Sequence, residues 1–171
     1  VFTIFRTNWP SRHPALEAAI KELANRAEIY VKFFVPQSYP DDHSCLRRRK
    51  WYKDIPEDQM DKRLAAVKIF NLWDSVCIQM IWNFTHALNE YAVAVQQTIK
   101  PSYFFLEGKF CFVDEMGVTN SLDGYHAIPK SFRDISEPLA RHADWLNKFE
   151  EGKYDAIWDE AEAVVKREDA E

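Results

Sequence analysis

Glycine is scarce in this chain of 171 residues: there are four glycines, and all of them lie after residue 107. A phosphate-binding loop or a dinucleotide-binding fingerprint needs clustered glycines, because the backbone must approach the phosphate closely. The sequence contains no such cluster, which excludes these two motifs. Glycine and proline are also too few for a collagen-like or low-complexity chain, and 47% of the residues are hydrophobic. The composition therefore predicts a soluble globular protein with a substantial core.

Cysteine is also limited. Cys45, Cys77 and Cys111 are odd in number, widely spaced and without a Cys-x-x-Cys pair. This pattern argues against a disulfide framework and favours a reducing, intracellular compartment. The sequence has no secretory signal-peptide pattern. We therefore expect the cytoplasm or, on the interpretation that Val1 follows a removed leader, the mitochondrial matrix.

Signatures of catalysis and metal binding are missing. The sequence has no Gly-x-Ser-x-Gly nucleophile motif and no Glu-x-x-His pair of the kind that holds di-iron centres in helical bundles. His86 and Glu90 lie one helical turn apart, but this pair has no second copy. The sequence predicts no catalytic residue, no metal site and no cofactor, and we expect a protein that is not an enzyme.

The hydrophobic pattern predicts a mainly α fold. Apolar residues recur at steps of three and four from Pro14 to Phe34, which is typical of a helix with one buried face. The 44 residues between Pro56 and Pro101 contain no glycine or proline and form one long apolar helix or two helices. Polar side chains interrupt this run, so we expect a central core helix and no transmembrane span. The segment at about 136–168 predicts an αα-hairpin that turns at a glycine.

Shorter elements complete the predicted organisation. Residues 1–12 form an extended aromatic arm, followed by a single helical domain over residues 13–171, an irregular bundle around the long central helix. Adjacent aspartates predict the start of a short helix over about 41–53. Aromatic runs around a Glu-Gly turn predict a small β-hairpin over about 103–113.

Charge is distributed unevenly. Residues 1–68 contain 13 Lys or Arg and 9 Asp or Glu, whereas residues 113–171 contain 7 and 15. The densest basic cluster lies at 47–53, and its candidate binding residues are Arg47, Arg48, Arg49, Lys50 and Trp51. Such a cluster suits an acidic protein surface or an anionic lipid. The net charge of −5 disfavours nucleic acid, because long-range repulsion opposes association.

Exposed aromatic residues indicate protein contacts. Interface hot spots are enriched in tryptophan and tyrosine, and an exposed aromatic arm needs a surface to pack on. The further candidate protein-binding residues are Phe2, Phe5, Trp9 and Trp158. We expect a non-catalytic accessory or scaffold subunit that packs with other subunits into a larger hetero-oligomeric assembly. An accessory subunit of a mitochondrial complex is one concrete form of this prediction.

Two alternatives remain at this point. The first is a small helical enzyme or ligand-binding domain with a pocket beside a polar stripe on the central helix, formed by Asn71, Asp74, Ser75, Gln79, Asn83 and His86. The second is a nucleic-acid-binding protein that uses the basic cluster 47–53, with aromatic rings stacking on bases and cations neutralising phosphates.

Overall fold

A computed structural model describes residues 13–42, 45–102, 110, 112–113, 119–120 and 134–168. The predicted arm, with Phe2, Phe5 and Trp9, and the predicted strand at 103–106 lie outside these residues. The mainly α class is confirmed. In chain order the described elements are α1 (Pro14–Phe34), β1 (Ser38–Pro40), β2 (Leu46–Arg48), α2 (Met60–Thr98), β3 (Phe112–Val113), β4 (Thr119–Asn120), α3 (Ser136–Glu150) and α4 (Tyr154–Glu168).

The central run forms one continuous helix, α2, of 39 residues. At about 1.5 Å per residue it is roughly 58 Å long. It begins at Met60, four residues after Pro56, because Pro56–Gln59 first forms a turn in which the Gln59 N–H donates to the Pro56 carbonyl at 3.1 Å. By length and composition α2 is apolar enough to cross a membrane, yet 44% of its most apolar window is buried within the protein. The central helix of a folded core has the same properties.

The described residues fall into two compact units, and α2 contributes to both. One unit contains α1, the part of α2 from Gln79 onwards, β3 and β4. Its core cluster is Leu16, Ala94 and Val95, with Ile20 and Tyr91 packed against them. The prediction of a single helical domain over 13–171 stays a prediction.

The other unit contains the β1–β2 hairpin, the part of α2 up to Ile78, α3 and α4. Its core is formed by side chains from three helices: Ala65, Ile69, Trp145, Ile157 and Ala161. The indole of Trp145 is buried, and its N–H donates a hydrogen bond to Glu160 Oε2 at 2.9 Å. Lys148 binds the other oxygen of the same carboxylate and also Asp144, at 2.7 Å. This network links α3 to α4 at the edge of the core.

The predicted αα-hairpin is present as α3 and α4. Gly152 adopts a φ of +77° between the two helices, a left-handed conformation that side chains other than glycine adopt only with strain. At the start of α3 the Asp134 carboxylate acts as the side-chain hydrogen-bond acceptor. The Ser136 N–H and hydroxyl both donate to the Asp134 carboxylate, and these hydrogen bonds lower the pKa of Asp134.

A small antiparallel β-hairpin is confirmed, with Phe112 opposite Asn120 and Val113 opposite Thr119. Residues 112–113 of the predicted hairpin thus pair with a segment further along the chain. Asn89 of α2 fixes the backbone near this hairpin. Its side-chain Oδ1 accepts from the Phe110 N–H at 2.8 Å, and its Nδ2 donates to the Phe110 carbonyl at 3.1 Å. The Asn89 side-chain amide therefore forms with Phe110 the same two hydrogen bonds that a residue on a neighbouring strand would form.

The predicted helix over 41–53 is wrong. Residues 38–48 form a second antiparallel hairpin, β1–β2, in which Ser38 pairs with Arg48, Tyr39 with Arg47 and Pro40 with Leu46. A short 3-10 helix, Trp51–Asp54, follows it. The physical reason lies in Asp41, whose side chain bonds to the backbone of the hairpin loop instead of capping a helix.

Candidate protein-binding surface

Asp41 closes the loop between β1 and β2 with both its backbone and its side chain. Its N–H donates to the Cys45 carbonyl at 2.8 Å, and its Oδ1 accepts from the Cys45 N–H at 2.9 Å. Aspartate often satisfies nearby backbone groups in this way, which stabilises turns at the expense of helices. Beyond the other end of the ladder, the Arg49 N–H donates to the Gln37 carbonyl at 3.0 Å.

The hairpin has two different faces, because side chains alternate along a strand. Arg48 faces α2, where its guanidinium forms an ion pair with Asp74. Tyr39 and Arg47 lie directly opposite each other on the other face. Arg49, one residue beyond β2, continues the same register through its hydrogen bond to the Gln37 carbonyl and so lies on the side of Arg47. All three of these side chains are exposed. The arginines that the sequence places side by side therefore have different surroundings.

Arg47 is held in place by Asp41. Its Nε donates to Asp41 Oδ2 at 2.7 Å, and this hydrogen bond, together with the aspartate charge, raises the pKa of Arg47 above its ordinary value. The Arg47 side chain is 63% exposed, whereas that of Asp41 is 13% exposed. The pair is neutral as a whole, but it presents its positive member to the solvent.

The remaining residues of the basic cluster differ in their packing. Arg49 is 3.4 Å from Asp54, a long contact between two exposed groups, and Lys50 is exposed. Trp51 packs edge to face on Phe149 of the core, with ring centroids 5.4 Å apart. The ring of Trp51 is thus partly covered within the chain.

The Arg48–Asp74 pair lies beside a buried thiol. Burial is the main cause that raises the pKa of Cys77 to about 12; the Asp74 charge acts in the same direction, and Arg48 acts more weakly in the opposite one. Cys45, on the hairpin, is exposed. Neither thiol forms a disulfide.

These environments predict selective alkylation. Iodoacetamide at pH 8 is expected to modify Cys45 in the native protein, while Cys77 reacts at least about tenfold more slowly because its thiolate is disfavoured and covered. Mass spectrometry of the two peptides measures both rates. Unfolding in urea provides the control, since it should make the two rates similar. Equal rates in the native protein would show that Cys77 is not buried.

A second exposed aromatic site lies where α2 meets α4. Trp158 is exposed, its indole N–H donates to Glu162 Oε1 at 3.0 Å, and Lys68 Nζ lies 4.5 Å from its ring centroid. Leu64, one turn before Lys68 on the same side of α2, is also exposed. The Glu162 hydrogen bond and the Lys68 cation–π contact hold the tryptophan ring in place at the surface.

The predicted polar stripe does not share one environment. Residues four apart advance by about 40° around a helix, so that Asn71 and Asn83 are about 120° apart. Accordingly Asn71 and Ser75 are exposed, Asp74, Gln79 and His86 are half-buried, and Asn83 is buried. His86 Nδ1 lies 3.5 Å from Glu90 Oε1. The pocket that was predicted beside this stripe stays a prediction.

Tyr39 and Leu46 were not predicted from the sequence as part of the candidate surface, and Asp41 was expected only to start a helix. The available signal was the Ser-Tyr-Pro segment followed by an Asp-Asp turn, which is typical of an edge strand and a loop. Within the part of the chain that the structure describes, no group of three or more His, Cys, Asp or Glu side chains is placed to hold a metal ion.

Comparison with known proteins gives no relative. No protein-family model, no curated protein and no solved structure matches this chain. Its function is therefore argued from its own surface.

Proposed function

We propose that this chain is a non-catalytic subunit that binds another protein through the β1–β2 hairpin and takes its place in a larger assembly. The carrying observation is that none of the six strand residues of this hairpin is buried. Tyr39 is 47% exposed and Leu46 is 49% exposed. A two-stranded hairpin is marginally stable by itself and normally needs a buried face. A partner that covers this hairpin would supply one.

The Trp158 site gives separate support to the same proposal. Exposed tryptophan and leucine side chains on neighbouring helices have the composition of an interface centre, in which aromatic residues contribute most of the binding energy. Lys68 and Glu162 already hold the Trp158 ring, so little side-chain entropy is lost when a partner covers it.

We extend the proposal to a reducing compartment, the cytoplasm or the mitochondrial matrix. It is supported by the state of Cys45 and Cys77, which do not form disulfides. A subunit of a mitochondrial complex remains one form of this proposal.

The alternative, a helical ligand-binding domain, has one observation in its favour. The side-chain Oε1 of Gln79 on α2 is buried and accepts no hydrogen bond from the described residues. A buried acceptor without a donor costs about 1–3 kcal/mol, which a bound ligand or water that donates to it would recover. The protein-binding proposal is preferred because the exposed side chains of Tyr39, Leu46 and Trp158 support it. The alternative is supported by the single oxygen atom of Gln79.

Co-purification tests the proposal. The tagged chain, isolated from its native cells, is expected to elute with a partner that mass spectrometry identifies. With that partner purified, Leu46→Ser should weaken binding at least about tenfold, because the substitution removes a large apolar side chain that is 49% exposed on the hairpin. Val93→Ser is the matched control: Val93 is 48% exposed on α2, 45 residues after the end of the hairpin in sequence, and its substitution should leave affinity unchanged. A chain that elutes alone at its monomer mass would refute the proposal.

A further inference from the structure

The solvent-facing side of the β1–β2 hairpin combines one aromatic ring with two arginines. We call Tyr39, Arg47 and Arg49 the hairpin face. Directly opposite residues of an antiparallel pair have Cβ atoms about 5 Å apart, so Tyr39 and Arg47 form a contiguous surface. Tyrosine and arginine are both enriched among residues that dominate binding energy.

Arg47 is oriented before any partner arrives. Its Nε is bound to Asp41 Oδ2, and none of the described contacts involves its two terminal nitrogens. These nitrogens are the donors left for a partner, in the planar arrangement that matches a carboxylate. Because Asp41 is largely covered and Arg47 is 63% exposed, an approaching group meets positive charge.

We infer that the hairpin face binds an acidic protein segment, in which a carboxylate pairs with Arg47 and a neighbouring apolar side chain packs on Tyr39. This inference rests on the proposed function and names the chemistry of the partner. Charge complementarity supports it, since Arg47 presents its positive charge to the solvent while Asp41 is largely covered, and the ring of Tyr39 supplies the apolar contact that a protein segment can use.

The surroundings of the hairpin face favour protein over nucleic acid or membrane. The segment from Asp41 to Asp54 contains five Lys or Arg and three Asp, so its net positive charge is small. Asp54, close to Arg49, is itself exposed and would repel a continuous row of phosphates. Trp51, the tryptophan in the segment, packs on Phe149. Carboxylates interspersed with apolar side chains suit this arrangement better than an uninterrupted row of phosphates does.

The test uses the purified chain and a fluorescein-labelled peptide, Gly-Asp-Glu-Phe-Asp-Glu-Leu-Gly, with fluorescence anisotropy as the readout. The control peptide carries Asn and Gln in place of Asp and Glu. We expect the acidic peptide to bind more tightly than the control, and Arg47→Gln to weaken its binding about tenfold. Lys53→Gln removes the same charge from an exposed residue of the 3-10 helix that follows, outside the hairpin face. It should change affinity less than about twofold, because a charge that does not pair directly with a carboxylate is screened by solvent and salt.

Two further measurements complete the experiment. Bound peptide should slow alkylation of Cys45, which lies on the hairpin, and this readout needs no substitution. Single-stranded DNA and phosphatidylserine vesicles serve as competing probes. The inference is overturned if the two peptides bind equally, if Arg47→Gln has no effect, or if DNA or vesicles bind more tightly than the acidic peptide. A co-purified partner that depends on Leu46 but not on Arg47 would overturn the inference and leave the proposed function intact. Peptide binding without any co-purified partner would overturn the proposed function and leave the inference intact.

Discussion

Replacing Ile69 with alanine is expected to lower the free energy of unfolding by roughly 3 kcal/mol. Ile69 is fully buried at 0% exposure in the cluster that joins α2 to α3 and α4. The substitution removes three carbon atoms from a close-packed site, so stability falls both through lost burial and through the cavity that remains.

Ile78→Ala is the matched control, because it makes the same substitution in the same helix and the same compact unit. Ile78 is 42% exposed, and alanine is the better helix former, so the expected change is within about 0.5 kcal/mol. Urea unfolding followed by tryptophan fluorescence measures both variants, since Trp73 and Trp145 are buried in this unit. Equal effects at the two positions would contradict the assignment of the buried face of α2.

Acidification from pH 7 to pH 5 is expected to destabilise the protein through His142. This side chain of α3 is buried, and burial lowers its pKa from 6.5 to about 4. The unfolded chain therefore binds a proton more readily than the folded chain does between these two values. Stability is fully retained above about pH 6.5, falls by about 2 kcal/mol at pH 5, and levels off below pH 4 after a loss of about 3 kcal/mol.

Carboxylates contribute in a different range of pH. Hydrogen bonding to Lys148, the largest cause, lowers the pKa of Glu160 from 4.5, so its stabilisation is present above pH 4.5 and is lost below it. The window between pH 7 and pH 5 therefore lies above the range in which Glu160 titrates, and the contribution of His142 within it is isolated by substitution. His142→Leu, which keeps a similar volume, is expected to flatten the unfolding free energy across that window, and His142→Gln should do the same with a polar side chain. Unfolding curves at five values of pH measure this slope. An unchanged slope in both variants would show that His142 does not titrate below its ordinary pKa.

The amino-acid sequence alone determined the elements whose signals are local. The bounds of α1 follow from Pro14, the three-four apolar repeat and Pro36. The αα-hairpin follows from two apolar faces around Gly152. The absence of glycine and proline between Pro56 and Pro101 predicted one long helix or two, and the structure shows one, α2. In each case neighbouring residues carry the whole signal, because helix propensity and caps act within a few positions.

Tertiary structure decided the candidate surface. Arg48 pairs with Asp74, 26 residues away, and Asn89 pairs with the backbone of Phe110, 21 residues away; no local pattern reports such contacts. The exposure of the basic cluster also depends on the tertiary structure. The sequence shows three consecutive arginines, but the β-strand places Arg47 and Arg48 on opposite faces, whereas a helix would not. Asp41 decided between these outcomes by bonding to Cys45 and Arg47 at once. Sequence thus determined how the helices form, and long-range pairing determined which side chains of the hairpin are exposed.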